Sequence, residues 1–184
     1  MGAALARAVI QAGHEAVVVS GPVVVDYPSE AELHWVVTTD EMLSTASELF
    51  LNCDGVIGAA APCDYMPRHV ESQKISKTGR PLRIELIETA DVVATLGQRK
   101  RPGQWAVGFA LETEDQRFRA IVKLERKHCN LMVSNGPSAI DADHNEVELL
   151  DASGEVLATI SGAKQHVADH LVSEIQQRLI DKHS

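Results

Sequence analysis

A run of small residues followed by an acid, Gly58-Ala59-Ala60-Ala61-Pro62-Cys63-Asp64-Tyr65, stands where a predicted strand ends. Small residues let a backbone approach a ligand closely, and the carboxylate of Asp64 could accept from ribose hydroxyls or base amines, or help to hold a metal. An ordinary tight turn explains the same spacing. Cys63 is a candidate nucleophile, but no base stands beside it in the sequence, and a small buried thiol is the commoner role.

A long loop over residues 62–81 carries two lysines, Lys74 and Lys77, in the run Lys74-Ile75-Ser76-Lys77-Thr78-Gly79. A loop of this length in a compact domain is typical of a functional lid or of a disordered segment. Lysines on a lid can bring positive charge to phosphates after the substrate has entered. Two exposed surface lysines are the simpler alternative.

Lys123 and Lys127 form a second pair of cations, four residues apart in a segment with helical spacing. That spacing places both side chains on one face of the helix, and we expect Phe118, Ile121 and Val122 to face inward. Two ammonium groups so placed can straddle adjacent phosphates. A solvated helix face is the alternative.

Two further motifs are weaker. The run His166-Val167-Ala168-Asp169-His170 approximates a metal motif, but Val167, Leu171, Ile175 and Leu179 predict the buried stripe of that helix, so both histidines lie at its flank and no third ligand is evident. Gly2 before an Ala-rich helix and a strand is similar to half of a dinucleotide-binding unit. The complete glycine motif is missing, and Ser20-Gly21-Pro22 stands where an acid for the ribose is expected.

The elements around these residues alternate between helices and strands. We expect one α/β domain with three layers, a Rossmann-like and mainly parallel sheet with helices on both faces, and an antiparallel hairpin near the carboxyl terminus. Ligands of such sheets bind beyond the carboxyl ends of the strands. The predicted helices cover 3–12, 40–51 with Asp40 as N-cap, 91–99, 115–128 and a last segment ending near 180, and the predicted strands cover 16–19, 33–38, 55–60, 82–87, 105–109, 131–134, 146–150 and 156–160.

Composition and charge limit the classes of function. Of the 184 residues, 45% are apolar and 23% are charged, which is typical of a globular protein, and no apolar run is long enough to span a bilayer. The net charge is −9, yet residues 68–127 hold 13 basic and 8 acidic side chains. This pattern favours a small anionic ligand over nucleic acid, although a chance excess on solvated faces is the alternative. Three cysteines without a CxxC pair, and no export signal, favour the cytoplasm.

Taken together, these motifs resemble those of phosphopantothenoylcysteine synthetase, the ligase of coenzyme A biosynthesis, over essentially the entire chain. The segments that carry the resemblance are Met1-Gly2-Ala3-Ala4-Leu5-Ala6, Val18-Val19-Ser20-Gly21-Pro22-Val23, Ala59-Ala60-Ala61-Pro62-Cys63-Asp64-Tyr65, Lys74-Ile75-Ser76-Lys77, Gly108-Phe109-Ala110-Leu111-Glu112-Thr113, and Lys123 with Lys127.

The resemblance implies a reaction and a set of site residues. In that reaction CTP activates the carboxylate of 4′-phosphopantothenate to an acyl-cytidylate, pyrophosphate leaves, and the amine of cysteine then displaces CMP, with Mg²⁺ as cofactor. Lys74 would be the catalytic cation on the lid. The implied nucleotide-binding residues are Gly58, Ala59, Ala60, Asp64, Lys74, Ala90, Phe109, Lys123 and Lys127.

The sequence also departs from the family pattern. Ser76 stands where the family usually has a lysine, Thr89-Ala90-Asp91 replaces the usual Asn-Pro-Asp turn, and Pro62-Cys63 replaces the common Val-Ala. The family's first strand and glycine-rich loop, which help to bind the intermediate, are not among these residues. The resemblance further implies a homodimer and a phosphopantothenoylcysteine decarboxylase as a fused or separate partner. An NADP-binding oxidoreductase and a non-catalytic nucleotide-binding module stay open as alternatives.

Overall fold

The computed structural model describes residues 1–111, 115–135 and 144–181. Helices and strands alternate along most of this length, as the sequence predicts. The helices are α1 (Gly2–Gln11), α2 (Thr39–Phe50), α3 (Val92–Gln98), α4 (Gln116–Arg126) and α5 (Lys164–Ile175), which continues as a π-helical segment over Gln176–Ile180. The strands are β1 (Val17–Ser20), β2 (Glu32–Trp35), β3 (Gly55–Gly58), β4 (Tyr65–Pro67), β5 (Leu86–Glu88), β6 (Trp105–Leu111), β7 (Leu131–Asn135), β8 (His144–Asp151) and β9 (Val156–Ala163).

The central sheet has five strands in the order β3-β6-β7-β8-β9. The first three strands are parallel, with Gly58 opposite Gly108 and Phe109 opposite Val133, whereas β8 and β9 form an antiparallel hairpin at the other edge. The predicted architecture, a mainly parallel sheet with a hairpin near the carboxyl terminus, is therefore confirmed. Because β3 and β6 are parallel neighbours, their carboxyl ends meet at the same edge.

Helices cover both faces of this sheet. On one face α1 and α5 pack on alternate residues of β6, β7 and β8, including Val107, Val133 and Leu149, which are completely buried. On the other face α4 packs through Ala120 and Leu124 on Met132 and Leu150. A smaller cluster joins α2 to α3. Successive side chains of a strand point to opposite faces of the sheet, so β6, β7 and β8 contribute buried residues to the cores on both faces.

Two pairs of strands lie outside the central sheet. β1 and β2 form a parallel pair, and β4 and β5 form an antiparallel pair. The sequence predicts a loop over 62–81 and a strand over 82–87, but β4 lies within that loop and β5 begins only at Leu86. Pairing with β5 is a long-range contact, which the local sequence of β4 does not reveal.

The predicted N-cap of α2 is wrong. The cap is Thr38 and not Asp40: the Thr38 hydroxyl accepts from the Glu41 backbone N–H at 3.1 Å, and the Glu41 carboxylate accepts from the Thr38 N–H at 3.0 Å. This reciprocal pair is a capping box, and it satisfies two backbone donors at the start of α2, whereas Asp40 lies two residues further along, inside the helix.

The predicted inner face of α4 is also wrong in part. Phe118 and Val122 are 69% and 46% exposed, while Ala120 and Leu124 are buried. Apolar residues lie on two neighbouring faces of α4, and the face that packs on the sheet is the one that carries Ala120 and Leu124. In α5 the predicted stripe is confirmed, since Val167, Leu171 and Ile175 are at most 2% exposed and Leu179 packs on the same core.

Candidate functional site

The exits of β3 and β6 form the floor of the candidate site. Gly58 ends β3 and is paired with Gly108, which lies inside β6, so Ala59 leaves the sheet beside Phe109 while β6 continues to Leu111. The backbone turns sharply after β3, where the Ala59 N–H donates to the carbonyl of Ile57 at 3.2 Å. A side chain on Gly58 would collide with Val93 of α3, so only glycine lets that helix lie directly on the strand exit.

The Asp64 loop is tied to the segment that starts α3. The Thr89 N–H donates to the Asp64 carbonyl at 2.9 Å, and the Thr89 hydroxyl donates to the Cys63 carbonyl at 2.5 Å. These bonds extend the β4-β5 ladder by one step. They bring Asp64 and Ala90, both predicted nucleotide-binding residues 26 positions apart, next to each other with exposed side chains.

Asp91 and Lys127 form an ion pair at the amino end of α3. Lys127 Nζ lies 3.1 Å from Asp91 Oδ1 and 3.0 Å from Oδ2, and Arg126 lies 3.7 Å from Oδ2. The same carboxylate caps α3 by accepting from the Ala94 N–H at 3.0 Å. Partial burial by itself would raise the pKa of Asp91, but the Ala94 hydrogen bond and the two cations outweigh it, so the pKa lies below its usual range. The carboxylate is therefore ionised at neutral pH.

The Lys127 side chain reaches this position by running along α3. The Lys127 carbonyl lies against Gly97 near the end of that helix, where a Cβ atom would collide with it. From there the side chain extends to Asp91 and is only 18% exposed. Since Val93, two residues after Asp91, packs on Gly58, the ammonium group lies close to the exit of β3.

The other two predicted lysines differ in their surroundings. Lys123 lies one turn before Lys127 on α4 and is half-buried. Lys74 lies in the long connection between β4 and β5, is exposed, and within the described part of the chain makes no hydrogen bond or ion pair. Contacts thus link the segments that carry Gly58, Ala59, Asp64, Ala90 and Lys127, whereas no contact in the described residues links the Lys74 side chain to them.

The basic excess of residues 68–127 is not gathered at this region. Arg117 binds Glu148 with two contacts of 2.6 and 2.9 Å, and Arg68 pairs with Glu85 at 3.0 Å. An open hollow of about 540 Å³ lies beside Arg117, but the Arg117 guanidinium is already bound to Glu148, which also lines the hollow. The two cations beside Asp91, Arg126 and Lys127, come from the end of α4.

The alternatives from the sequence find little support. The Ser20 hydroxyl, where a dinucleotide site would need an acid, is buried and bonded to Tyr27 Oη at 3.0 Å. The rings of His166 and His170 lie 4.1 Å apart on the exposed flank of α5. Within residues 1–111, 115–135 and 144–181, no group of three or more His, Cys, Asp or Glu side chains could hold a metal ion, and no helix could cross a membrane.

Comparison with known families identifies the domain. A family model described as the DNA/pantothenate metabolism flavoprotein C-terminal domain matches residues 1–179. The chain belongs to this family. Of the segments that carry the resemblance, Glu112 and Thr113 lie outside the described residues.

Relatives in the family are named for coenzyme A biosynthesis and for decarboxylation. The chain is 32% identical over 181 residues to the coenzyme A biosynthesis bifunctional protein CoaBC of Haemophilus influenzae, covering 97% of this chain and 45% of that protein. It is 34% identical over 181 residues to a cysteine/cysteine sulfinic acid decarboxylase of an unknown prokaryotic organism, covering 95% of this chain and 50% of that protein. The chain thus spans about half the length of these relatives.

Solved structures agree with the fold. The crystal structure of the C-terminal domain of CoaBC superimposes with a TM-score of 0.79 at 30% identity, covering 98% of this chain and 82% of that one. A Cab2 mutant in complex with phosphopantothenate-cysteine superimposes with a TM-score of 0.63 at 16% identity, covering 83% of this chain and 54% of that one, and this likeness concerns the fold alone.

Sequence reasoning missed three residues of the region. The sequence predicts only that a helix begins near Asp91, whereas the structure shows that the Asp91 carboxylate also binds Lys127. Thr89 joins two loops, and Gly97 admits the Lys127 carbonyl. The Asp91 N-cap pattern was visible in the sequence, but its second partner lies 36 residues away and no local signal points to it.

Proposed function

We propose that this chain is the ligase domain that joins 4′-phosphopantothenate to cysteine at the expense of CTP. The observation that carries this proposal is the match of the family model to residues 1–179, together with relatives named for coenzyme A biosynthesis. The complex of a neighbour of the same fold with phosphopantothenate-cysteine agrees with it.

The reaction explains why the site needs positive charge. A carboxylate oxygen of phosphopantothenate attacks the α-phosphorus of CTP, an O–P bond forms, and pyrophosphate leaves with the electron pair of the broken bond. The cysteine amine then attacks the acyl carbon, loses a proton, and displaces CMP to leave an amide. The first step brings two anions together, so cations that bind the phosphates lower its barrier.

In this proposal the described residues divide the work. The exposed backbone at Gly58, Ala59 and Ala60 accommodates the nucleotide closely, with Asp64, Ala90 and Phe109 around it. Lys127 and Lys123 bind the triphosphate. Lys74 reaches the α-phosphate from the connection between β4 and β5, and its position in a long exposed segment is compatible with closure over a bound nucleotide.

The residues present fit a magnesium ion that arrives with the nucleotide. Mg²⁺ in nucleotide enzymes is commonly held by one or two carboxylates plus substrate phosphates. Asp64 is exposed beside the exit of β3, while the carboxylate of Asp91 is occupied by Lys127. Asp64 would therefore be the protein ligand, and the ion would offset phosphate charge during the first step.

Two partners belong to the proposal. A phosphopantothenoylcysteine decarboxylase, fused or separate, would take the product, since the relatives are about twice as long as this chain and one is named bifunctional. A second copy of the chain would form a dimer, for which the edge strand β9 offers unpaired backbone groups. The molar mass in solution, measured by light scattering, tests the dimer.

The test of the ligase is a product assay with separate nucleotides. The chain, alone and extended by the amino-terminal strand and glycine-rich loop that the resemblance implies, is incubated with phosphopantothenate, cysteine, Mg²⁺ and either CTP or ATP. We expect pyrophosphate and CMP, with the amide formed only when cysteine is present. Equal or faster turnover with ATP would contradict the CTP preference. Absence of product with both nucleotides and both forms of the chain would overturn the ligase.

A further inference from the structure

Asp91 binds three groups that come from two different helices. It accepts from the Ala94 N–H of α3 and from Lys127 Nζ beyond the end of α4, and Arg126 lies 3.7 Å away. The first contact stabilises α3, as any good N-cap would do. The second has no role in capping, so the carboxylate serves a further purpose at the position where α3 and α4 meet.

That purpose concerns the orientation of Lys127. A lysine side chain has four flexible methylene torsions, and an unrestrained ammonium group would sample many positions. Here both ends are held, because the backbone carbonyl packs on Gly97 and the ammonium binds Asp91. An ammonium group has three donors, and one carboxylate accepts from at most two of them. At least one donor therefore stays available to an anion at the exit of β3.

The local charge agrees with an anion site. The single carboxylate of Asp91 faces two cations, Lys127 and Arg126, so the cluster has a surplus of one positive charge. The Asp91 carboxylate also interacts with the first backbone N–H groups of α3. A polyphosphate that approaches this cluster meets net attraction in spite of the carboxylate.

We propose that Asp91 is a positioning residue that holds the ammonium of Lys127 toward the β- and γ-phosphates of the bound nucleotide. This inference rests on the proposed function for the identity of the nucleotide. Asp91 acts through Lys127, and the ligand that the pair receives is a polyphosphate chain. Inorganic tripolyphosphate should therefore bind at the same place as CTP. The affinity for CMP, which lacks the two outer phosphates, should not change when Asp91 is substituted.

Two substitutions separate the capping role of Asp91 from its role toward Lys127. Asp91→Asn keeps an N-cap oxygen but removes the negative charge, whereas Asp91→Glu keeps the charge and caps poorly. We expect Asp91→Asn to weaken the binding of CTP and tripolyphosphate about tenfold, as for the loss of one charge-assisted contact, and to lower the unfolding midpoint only by as much as the loss of one partly exposed ion pair does. Asp91→Glu should restore most of the affinity and lower the midpoint. Glu125→Gln, which removes an exposed negative charge from α4, is the matched control and should leave both affinities within about twofold.

Calorimetric titration of the full chain with CTP, CMP and tripolyphosphate tests the proposal. The Lys127→Met variant and the double variant with Asp91→Asn complete a double-mutant cycle. If Asp91 acts through Lys127, adding Asp91→Asn to Lys127→Met changes the affinity no further. Wild-type affinity in Asp91→Asn, a weaker affinity in Asp91→Glu than in Asp91→Asn, or multiplicative effects of the two substitutions would overturn it. The expected pattern without any amide product would leave the positioning role intact and overturn the ligase. Failure of the wild-type chain to bind both CTP and tripolyphosphate would overturn both proposals.

Discussion

The carbonyl oxygen of Lys127 lies against Gly97, in the space that a side chain at residue 97 would occupy. Helices α3 and α4 approach each other at this point, and the obstacle is backbone, which cannot move aside as a flexible side chain can. The contact also fixes where the Lys127 side chain begins its path to Asp91. The same contact thus sets how closely the end of α4 lies to α3 and where the Lys127 ammonium group is placed.

Gly97→Ala should therefore destabilise the protein. We expect a loss of about 1–3 kcal/mol in the free energy of unfolding, because an added methyl group forces α3 and α4 apart. Urea denaturation measures it. Gly21→Ala is the matched control, since Gly21 has open space around it and no left-handed backbone, and it should change the free energy by no more than about 0.5 kcal/mol. Equal effects of the two substitutions would contradict the packing argument.

Thr89→Val should weaken nucleotide binding by loosening the Asp64 loop. The Thr89 hydroxyl donates to the Cys63 carbonyl at 2.5 Å, and valine has the same shape without the donor. A neutral hydrogen bond contributes about 0.5–1.5 kcal/mol, so a loss of roughly two- to tenfold in CTP affinity is expected. Thr95→Val is the control, because the Thr95 hydroxyl bonds only within α3, to the Asp91 carbonyl. Both variants are titrated with CTP. A loss of affinity in Thr89→Val alone would show that the bond to the Asp64 loop matters, and equal losses in both variants would contradict this.

Lys123→Ala and Lys127→Ala should each weaken the binding of CTP more than that of CMP. Their ammonium groups are proposed to contact the β- and γ-phosphates, and a charge-assisted contact contributes about 1.5–3 kcal/mol. Parallel titrations with the two nucleotides measure the difference. Equal losses for CMP and CTP would place these lysines away from the outer phosphates.

Lys74→Gln should slow the first chemical step without changing the fold. Lys74 is exposed and has no bonded partner in the described residues, so the unfolding midpoint should stay the same. Loss of one electrostatic contact to the transition state costs roughly 100- to 1000-fold in rate. Single-turnover release of pyrophosphate measures this step, with Lys77→Gln in the same segment as the control. Release at the wild-type rate would show that Lys74 is a surface residue and would point to Lys77 or the metal.

Cys129 should make the protein less stable at high pH. Burial raises the pKa of this thiol from its ordinary value of 9.0 to about 11, against the opposing effect of Lys127 and Lys100. Between these pH values the unfolded chain loses the thiol proton and the folded chain keeps it, so stability falls as pH rises. The slope is about 1.4 kcal/mol per pH unit from this group. Urea denaturation at pH 9, 10 and 11 measures the slope, and Cys129→Ala should reduce it by that amount. An identical slope in the variant would refute the assignment.

Local patterns in the sequence were sufficient for the order of helices and strands, and for some of their ends. The helix predicted over 91–99, the buried stripe of α5 and the small residues at the exit of β3 all depend on neighbours within a few positions, where backbone geometry and side-chain spacing act directly. The capping box of Thr38 and Glu41 is equally local, and the pattern Thr-x-x-Glu was present in the sequence although Asp40 was preferred.

Long-range packing decided the rest. Whether Phe118 or Leu124 faces the sheet depends on the shape that Met132 and Leu150 present to α4, and the helix itself is compatible with either face. The family resemblance pointed to Lys127, but its ion pair with Asp91 exists because α3 and α4 touch at Gly97. A sequence determines which residues carry charge and how each segment prefers to fold. The distance between charges 36 positions apart is set only when the core has packed, because the energy that fixes it comes from burial across the whole domain.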